Sequence, residues 1–160
     1  MHNLESMTFL RFLMLLSLIV WLGGLIFFVV TAPTLFSVLP TRHLAGSVVN
    51  RSLGNLHWMA IGSGLVFLAS SMVHARFSGT RSVGARQVLL ILMLALTLVS
   101  QFGIMPRMAS LRASMGEIDS VPQSDPARQQ FDMLHEWSTR VEGTVLLLGL
   151  VVVYLTAASS

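Results

Sequence analysis

The sequence has 160 residues, of which 54% are hydrophobic and only 11% are charged, against about 25% charged residues in an average soluble domain. It contains no cysteine, which excludes disulfides and thiolate metal sites, and its ten cationic side chains are all arginines. These arginines are spread along the chain, so the formal charge of +3 does not describe a nucleic-acid surface. The composition predicts an integral membrane protein that binds no nucleic acid.

Four apolar runs follow one another along the chain, each close to the ~20 residues that cross a ~30 Å hydrocarbon layer. They are Phe12 to Val30, Trp58 to Val73, Val88 to Met105 and Val141 to Ala158. The first run does not predict a cleaved signal peptide, because it is longer than a secretory core and continues into TAPTLF without a small-residue cleavage site. The predicted fold is all-α: one domain, residues 1–160, formed by a bundle of four antiparallel transmembrane helices.

The connections contain recognisable helix boundaries. Helix one is predicted to end near Pro40, and Thr41 is the predicted N-cap of helix two. A short turn from Arg76 to Arg86 leads to helix three, which is expected to continue past a proline to about Met115. Helix four is predicted to begin at Asp125-Pro126, an N-cap followed by a proline in the first helical position. Helices two and four therefore start outside the apolar layer, and both are expected to project beyond the membrane on one face.

Two of these helices carry polar stripes. In helix two, polar or small residues recur every seven positions, at His43, Asn50, His57, Gly64 and Ser71. In helix four they recur at spacings of three and four, at Asp132, His135, Thr139 and Glu142. Because both helices begin on the same predicted face, the two stripes can face each other.

The segment LHEWSTRVEG, residues 134–143, brings charge to the edge of the last apolar run. Glu136 and Arg140 have the i, i+4 spacing of an ordinary surface ion pair. Glu142 lies inside the apolar run, where an unpaired carboxylate is costly. We expect Glu142 and His135 to point into the bundle and to meet His57 or Gln101, which come from the same end of the predicted fold.

Two interpretations of these four residues remain open. The first is a polar contact that fixes how the helices pack. The second is a binding site, because two histidines from different helices can ligate haem iron, one can ligate the magnesium of a chlorophyll-type pigment, and two with a carboxylate can hold copper or zinc. The candidate cofactor site is therefore His57, His135, Glu142 and Gln101, with haem or a chlorophyll-type pigment bound through His57 or His135.

Glycines mark a predicted contact between helices one and two. Gly23 and Gly24 lie in WLGGLIFF, and Gly62 and Gly64 lie in the middle of helix two. Small residues let helix backbones approach closely in lipid, where apolar burial alone gives little association. We expect the first two helices to touch at these positions.

The segments VWLGGLIFFVVTAPTLFSVLPTRHLAG, LHWMA and FDMLHEWSTRVEG resemble the bacterial branch of a four-helix membrane family known as a domain of unknown function. That family includes a human transmembrane protein associated with cisplatin resistance. More distantly, the chain is similar to the copper-resistance protein CopD and to haem-binding HemJ-like proteins. The resemblance implies a multi-pass protein of the bacterial cytoplasmic membrane. The absence of lysine departs from the HemJ-like pattern and argues against protoporphyrinogen oxidation.

Three classes of function follow from these observations. The favoured one is a non-catalytic accessory or scaffold subunit, surrounded by membrane lipids, that packs against other integral membrane subunits or against itself. The assembly would be one that carries haem or chlorophyll. The second is a haem- or metal-binding protein that uses His57 or His135, and the third is a resistance or export transporter that acts as an oligomer. No motif of an enzyme is present in the sequence, so none of the three is catalytic.

Overall fold

The structure is a computed structural model that describes residues 2–79 and 84–158. Its elements are α1 (His2–Val38), α2 (Arg42–Ser78), α3 (Ala85–Val99), a π-helical turn (Ser100–Ile104), α4 (Met105–Met115), a 3₁₀ turn (Ile118–Ser120) and α5 (Pro126–Ala157). The predicted turn between Arg76 and Arg86 includes residues 80–83, which lie outside the described residues. All regular structure in the described part of the chain is helical.

Four stretches are long and apolar enough to cross a membrane. They are Glu5–Val38, Arg42–Ser78, Ala85–Met115 and Pro126–Ala157. The third combines α3, the π turn and α4, so predicted helix three is these elements together and predicted helix four is α5. The prediction of an all-α protein with four helices of membrane-spanning length is confirmed, and by length and composition this is a multi-pass membrane protein.

Two predicted helix starts are confirmed by their capping geometry. Thr41 has extended backbone angles, and its side chain accepts a hydrogen bond from the backbone N–H of Leu44. Asp125 likewise accepts from the N–H groups of Ala127 and Arg128, with Pro126 in the first helical position. These caps satisfy donors that would otherwise be free at the helix ends.

Pro106 explains the π turn between α3 and α4. A proline inside an α-helix has no N–H to donate, and its ring collides with the carbonyl four residues earlier. Here the helix widens just before it, so that the N–H of Met105 bonds to the carbonyl of Ser100, five residues back. The helix continues to Met115 as predicted, but the wider turn was not foreseen from the sequence.

The four membrane-length helices form a bundle with a continuous apolar core. Packing joins α1 to α2 and α5, and joins α3 to the same two helices. Helices α2 and α5 therefore face each other across the centre of the bundle. The core residues of α1 include Trp21 and Leu25, which pack with Phe67 of α2, Met93 of α3 and Val145 of α5.

Two of the four predicted contact glycines lie at helix interfaces. A Cβ added at Gly24 would lie 2.9 Å from Leu56 Cδ1, and one at Gly64 would lie 2.6 Å from Leu94 Cδ2 and 2.9 Å from Trp21 Cζ3. Helices α1 and α2 therefore touch at Gly24 and Gly64, as expected. A Cβ at Gly23 or Gly62 would meet no atom within 4 Å among the described residues, so these two glycines lie on the outside of the bundle.

The two glycines of α2 provide a matched pair of variants. Gly64→Leu should destabilise the bundle by about 1 to 3 kcal/mol, because the added side chain meets Trp21 and Leu94 in the core. Gly62→Leu introduces the same side chain only two residues away in α2, but on the outside of the bundle. It should leave stability almost unchanged. Thermal unfolding of the purified protein in mild detergent would compare them, and an equal loss in both variants would contradict this packing.

Candidate functional site

A buried cluster of four side chains occupies the centre of the bundle. His57 Nε2 lies 2.8 Å from Glu142 Oε1, and His57 Nδ1 lies 2.8 Å from Gln101 Oε1. Ser100 Oγ donates a hydrogen bond of 3.2 Å to the same Glu142 oxygen. The His57 ring is 1% exposed, Ser100 is 0% exposed and Glu142 is 9% exposed, whereas Gln101 is partly buried.

The hydrogen-bond pattern fixes the net charge of this cluster. Gln101 Oε1 can only accept, so His57 Nδ1 carries the hydrogen that it donates. One further proton is then shared between Nε2 of the ring and Oε1 of Glu142, either as an ion pair or as a neutral acid that donates to a neutral ring. Both forms have zero net charge, which is the condition for placing these groups in an apolar interior.

The π turn supplies two of the four members. Ser100 and Gln101 are its first two residues, and their side chains reach Glu142 and His57 respectively. Turns of this kind occur frequently at functional sites because they change the direction of neighbouring side chains. The local response to Pro106 therefore also determines which polar groups face the bundle centre.

A groove lies beside the cluster at the end of the bundle where α5 begins. It has a volume of about 730 Å³, within the ~300 to 1,000 Å³ of typical small-molecule sites. Its floor includes buried residues of α2 and α4, among them Leu53 and Met105, and its sides are α1 and α5. The α1 side is formed by Phe28, Val29, Ala32, Pro33 and Phe36, and the α5 side includes Asp132, His135, Thr139 and Glu142. The groove thus has one apolar side and one polar side.

The polar side of the groove is the predicted stripe of α5. The buried residues of this helix form a second stripe, at Phe131, Leu134, Ser138, Glu142, Val145, Gly149, Val152 and Thr156. At 3.6 residues per turn the two stripes are centred roughly 80° apart around the helix, and Glu142 belongs to both. Glu142 therefore lines the groove and also belongs to the buried cluster. Its second oxygen, Oε2, accepts no hydrogen bond from the described residues and is the atom available to the groove.

The structure brings together three of the four predicted site residues. His57, Gln101 and Glu142 are joined by hydrogen bonds, as expected for the pairing of Glu142. His135 does not join them: it is exposed, it lines the groove, and its ring stacks on Phe131 at a centroid distance of 6.5 Å. The expected inward position of His135 is wrong, because α5 turns this residue away from the buried stripe towards the groove. Glu136 and Arg140 form the predicted exposed pair, with Arg140 NH2 lying 2.6 Å from Glu136 Oε1.

The two histidines differ in how well they fit a cofactor. His57 does not fit as an axial ligand, because both ring nitrogens are held in hydrogen bonds and the ring is 1% exposed. His135 is the histidine whose ring lies in the groove. In the described part of the chain, no group of three or more histidine, aspartate or glutamate side chains is close enough to hold a metal ion.

Arg112 is a groove residue that the sequence reading did not single out. It is half-buried in the groove wall, where its NH1 group donates to the Gly46 carbonyl at 2.5 Å and its guanidinium lies 5.3 Å from the Phe131 ring centre. A signal was present in the sequence, because Met105, Met108 and Arg112 share one face of α4. An arginine that continues an apolar face is placed at a buried or half-buried position.

Comparison with known protein families gives one match, which covers more than half of the chain. A family model described as a domain of unknown function, DUF4149, matches residues 16–117. The chain belongs to the DUF4149 family. The match includes His57, Ser100, Gln101 and Arg112 of this DUF4149 protein and ends before α5. No curated protein and no solved structure matches the chain. The resemblances to the human protein, to CopD and to HemJ-like proteins stay predictions.

Removing one member of the buried pair should be far more costly than removing an exposed charge. Glu142→Ala should lower stability by about 3 to 5 kcal/mol, because it leaves His57 buried without its partner. The double variant His57→Leu with Glu142→Leu should recover much of that loss, since two apolar groups need no partner. Glu136→Ala, on the exposed side of the same helix, should change stability by no more than about 0.5 kcal/mol.

Unfolding midpoints of these variants in the same detergent test the pair as a unit. Equal losses for Glu142→Ala and Glu136→Ala would contradict the assignment of the cluster as the internal polar contact of the bundle. A loss in the double variant equal to the sum of the losses in the single variants His57→Leu and Glu142→Leu would show that His57 and Glu142 act independently.

Proposed function

We propose that this DUF4149 protein is a non-catalytic integral membrane protein that binds an amphiphilic molecule in the groove between α1 and α5. The observation that carries this proposal is the pairing of an apolar α1 side with a polar α5 side in one cavity of about 730 Å³. An amphiphile can satisfy both sides at once, whereas water alone satisfies only the polar side. Sites of this kind, mostly apolar with a few convergent polar groups, are the usual form of small-molecule sites.

The groove is accessible from the membrane in this proposal. Its α1 side contains the exposed residues Val29, Pro33 and Phe36, and its α5 side contains the exposed residues Thr139 and Gly143. A molecule dissolved in the bilayer can therefore enter between α1 and α5 without crossing the bundle. Once bound, it would lie beside Glu142 and the other polar residues on the α5 side of the groove.

The placement in the membrane is part of the same proposal. We infer an antiparallel bundle in the cytoplasmic membrane of a bacterium, with the starts of α2 and α5 projecting on one face. Contacts between helix ends support it: Arg42 lies 3.5 Å from Asp119, and His43 Nδ1 lies 2.8 Å from the Gly116 carbonyl. At the other end of α2, Arg11 of α1 donates to His74 at 3.3 Å.

A role as an accessory subunit is the second candidate, and it is favoured by the two outward glycines. Gly23 of α1 and Gly62 of α2 are exposed, and a Cβ at either would meet nothing within 4 Å among the described residues. Outward small residues allow a helix of another subunit to approach closely. In such an assembly, a haem or chlorophyll-type pigment of the complex would have His135, rather than His57, as its available imidazole.

Filling the groove should remove the ligand without unfolding the protein. Gly143 lines the groove, and a Cβ there would meet no described atom within 4 Å, so Gly143→Phe should place its ring in the cavity with little strain. Native mass spectrometry of the gently solubilised protein should then detect bound amphiphile on the wild type and at least about a tenfold lower occupancy on this variant.

Gly62→Phe is the matched control, because it adds the same ring at an exposed glycine outside the groove. It should retain the bound amphiphile. Equal occupancy in the wild type and Gly143→Phe would refute binding in the groove, whereas a loss confined to Gly62→Phe, together with loss of a partner protein, would favour the accessory role.

The proposed topology is tested by labelling single introduced cysteines in membrane vesicles. Asp119→Cys and Ser47→Cys should react from the same side with a reagent that does not cross the membrane, since both positions are exposed near the start of α2. Ala85→Cys, at the exposed start of α3, should react from the other side. Labelling of Ser47→Cys and Asp119→Cys from opposite sides would overturn the antiparallel arrangement.

A further inference from the structure

Arg112 carries an unneutralised positive charge in the wall of the groove. Its guanidinium is held by one backbone carbonyl and one aromatic ring, those of Gly46 and Phe131. Its Nε atom is buried and has no hydrogen-bond partner among the described residues. A carbonyl and a ring offset only part of the cost of withdrawing an arginine from water. The position therefore favours an additional anionic partner.

The other two arginines of the groove already have carboxylate partners. Arg42 lies 3.5 Å from Asp119, and Arg128 lies 3.1 Å from Asp132 and also donates to the Ile118 carbonyl at 2.6 Å. Within the described residues Arg112 takes part in no ion pair. The excess positive charge of the groove is therefore located at one residue, beside Phe131.

The surroundings of Arg112 hold the guanidinium in position. A Cβ added at Gly46 would lie 2.8 Å from Arg112 NH2 and 2.9 Å from its Cζ. Only glycine lets the guanidinium lie this close to the backbone of α2. The flat guanidinium is thus fixed between α2 and the Phe131 ring, in a residue that lines the groove.

We propose that Arg112 binds the phosphate of an anionic phospholipid whose acyl chain occupies the inner part of the groove. This inference rests on the proposed function and names the ligand of the same site. Basic pockets between transmembrane helices bind anionic lipid headgroups. A zwitterionic lipid brings its own cation close to its phosphate, so a lipid with a net negative charge neutralises Arg112 more completely.

The dimensions of the groove agree with this orientation. Phe131 and Glu142 are separated by 11 positions of α5, which at 1.5 Å per residue is about 16 Å along the helix axis. The groove is lined by apolar side chains of α1, α2 and α4, including Phe28, Val29, Leu53 and Met105, opposite the polar residues of α5. A headgroup at Arg112 therefore leaves a path along this apolar side for one acyl chain towards the middle of the bundle.

Lipid competition on the full-length protein tests the proposal. Native mass spectrometry in detergent, with equal amounts of dioleoyl phosphatidylglycerol and dioleoyl phosphatidylcholine, should show at least about a fivefold preference of the wild type for phosphatidylglycerol. Arg112→Gln should remove the preference while phosphatidylcholine still binds. Gly46→Ala keeps the arginine but displaces its guanidinium, so it should weaken the preference several-fold.

Arg107→Gln is the matched control, because Arg107 is an exposed arginine of the same helix and does not line the groove. It should keep the wild-type preference. Loss of the preference in both arginine variants would show a general surface-charge effect and would overturn the assignment to Arg112. Displacement of the lipid by inorganic phosphate, or equal competition by oleate, would assign the site to a free phosphate or to a fatty-acid carboxylate instead.

The Gly143→Phe variant separates binding in the groove from charge selection by Arg112. If the wild type binds both phospholipids equally and Gly143→Phe removes both, the groove binds amphiphiles but Arg112 does not select their charge. If Gly143→Phe changes neither lipid, the groove is not the binding site and both proposals fail.

Discussion

The hydrogen bond between His57 and Glu142 connects the two helices that face each other across the bundle, and the rest of the site depends on it. A carboxylate in the apolar part of a membrane helix needs a partner, because its desolvation costs several kcal/mol. The partner comes from the opposite helix rather than from a neighbour, so the bond sets the distance between α2 and α5. It also leaves only Oε2 of Glu142 to interact with a molecule in the groove.

The partners of this bond are positioned by an interruption of regular helix. Pro106 cannot take part in α-helical hydrogen bonding, and the π turn that precedes it brings Ser100 to Glu142 and Gln101 to His57. The same widening allows the helix to continue into α4, which carries Arg112 to the groove wall. A single proline therefore links the buried cluster to the charged end of the groove.

The groove combines three features in one cavity. One side is apolar, the other is polar, and one end carries an arginine without a carboxylate partner among the described residues. Helix α1 packs closely on α2 at Gly24 and Gly64, and it meets α5 where Leu22 lies against Gly149. Nearer the C-terminal end of α1, the side chains around Pro33 border an open space instead. The groove therefore lies beyond the close contacts that α1 makes with α2 and α5.

By itself the sequence determined the helices and most of their boundaries. Run length and hydropathy predicted four spanning helices, and Thr41 and Asp125-Pro126 predicted where α2 and α5 begin, because these signals act within a few residues along the chain. The cost of an unpaired carboxylate also predicted that Glu142 would meet His57 or Gln101. The family resemblance stated for the chain agrees with the DUF4149 match.

Tertiary structure decided which faces of these helices became interior. His135 and Glu142 are separated by seven residues and nearly share a helix face, yet the buried stripe includes only Glu142 and leaves His135 in the groove. Gly23 and Gly24 are adjacent, but only Gly24 meets α2. The role of Arg112 likewise depends on Gly46 and Phe131, which are distant in sequence and come together only when α2, α4 and α5 pack. Periodicity identifies a face of one helix, whereas the rotation of each helix about its own axis is set by the side chains of its neighbours.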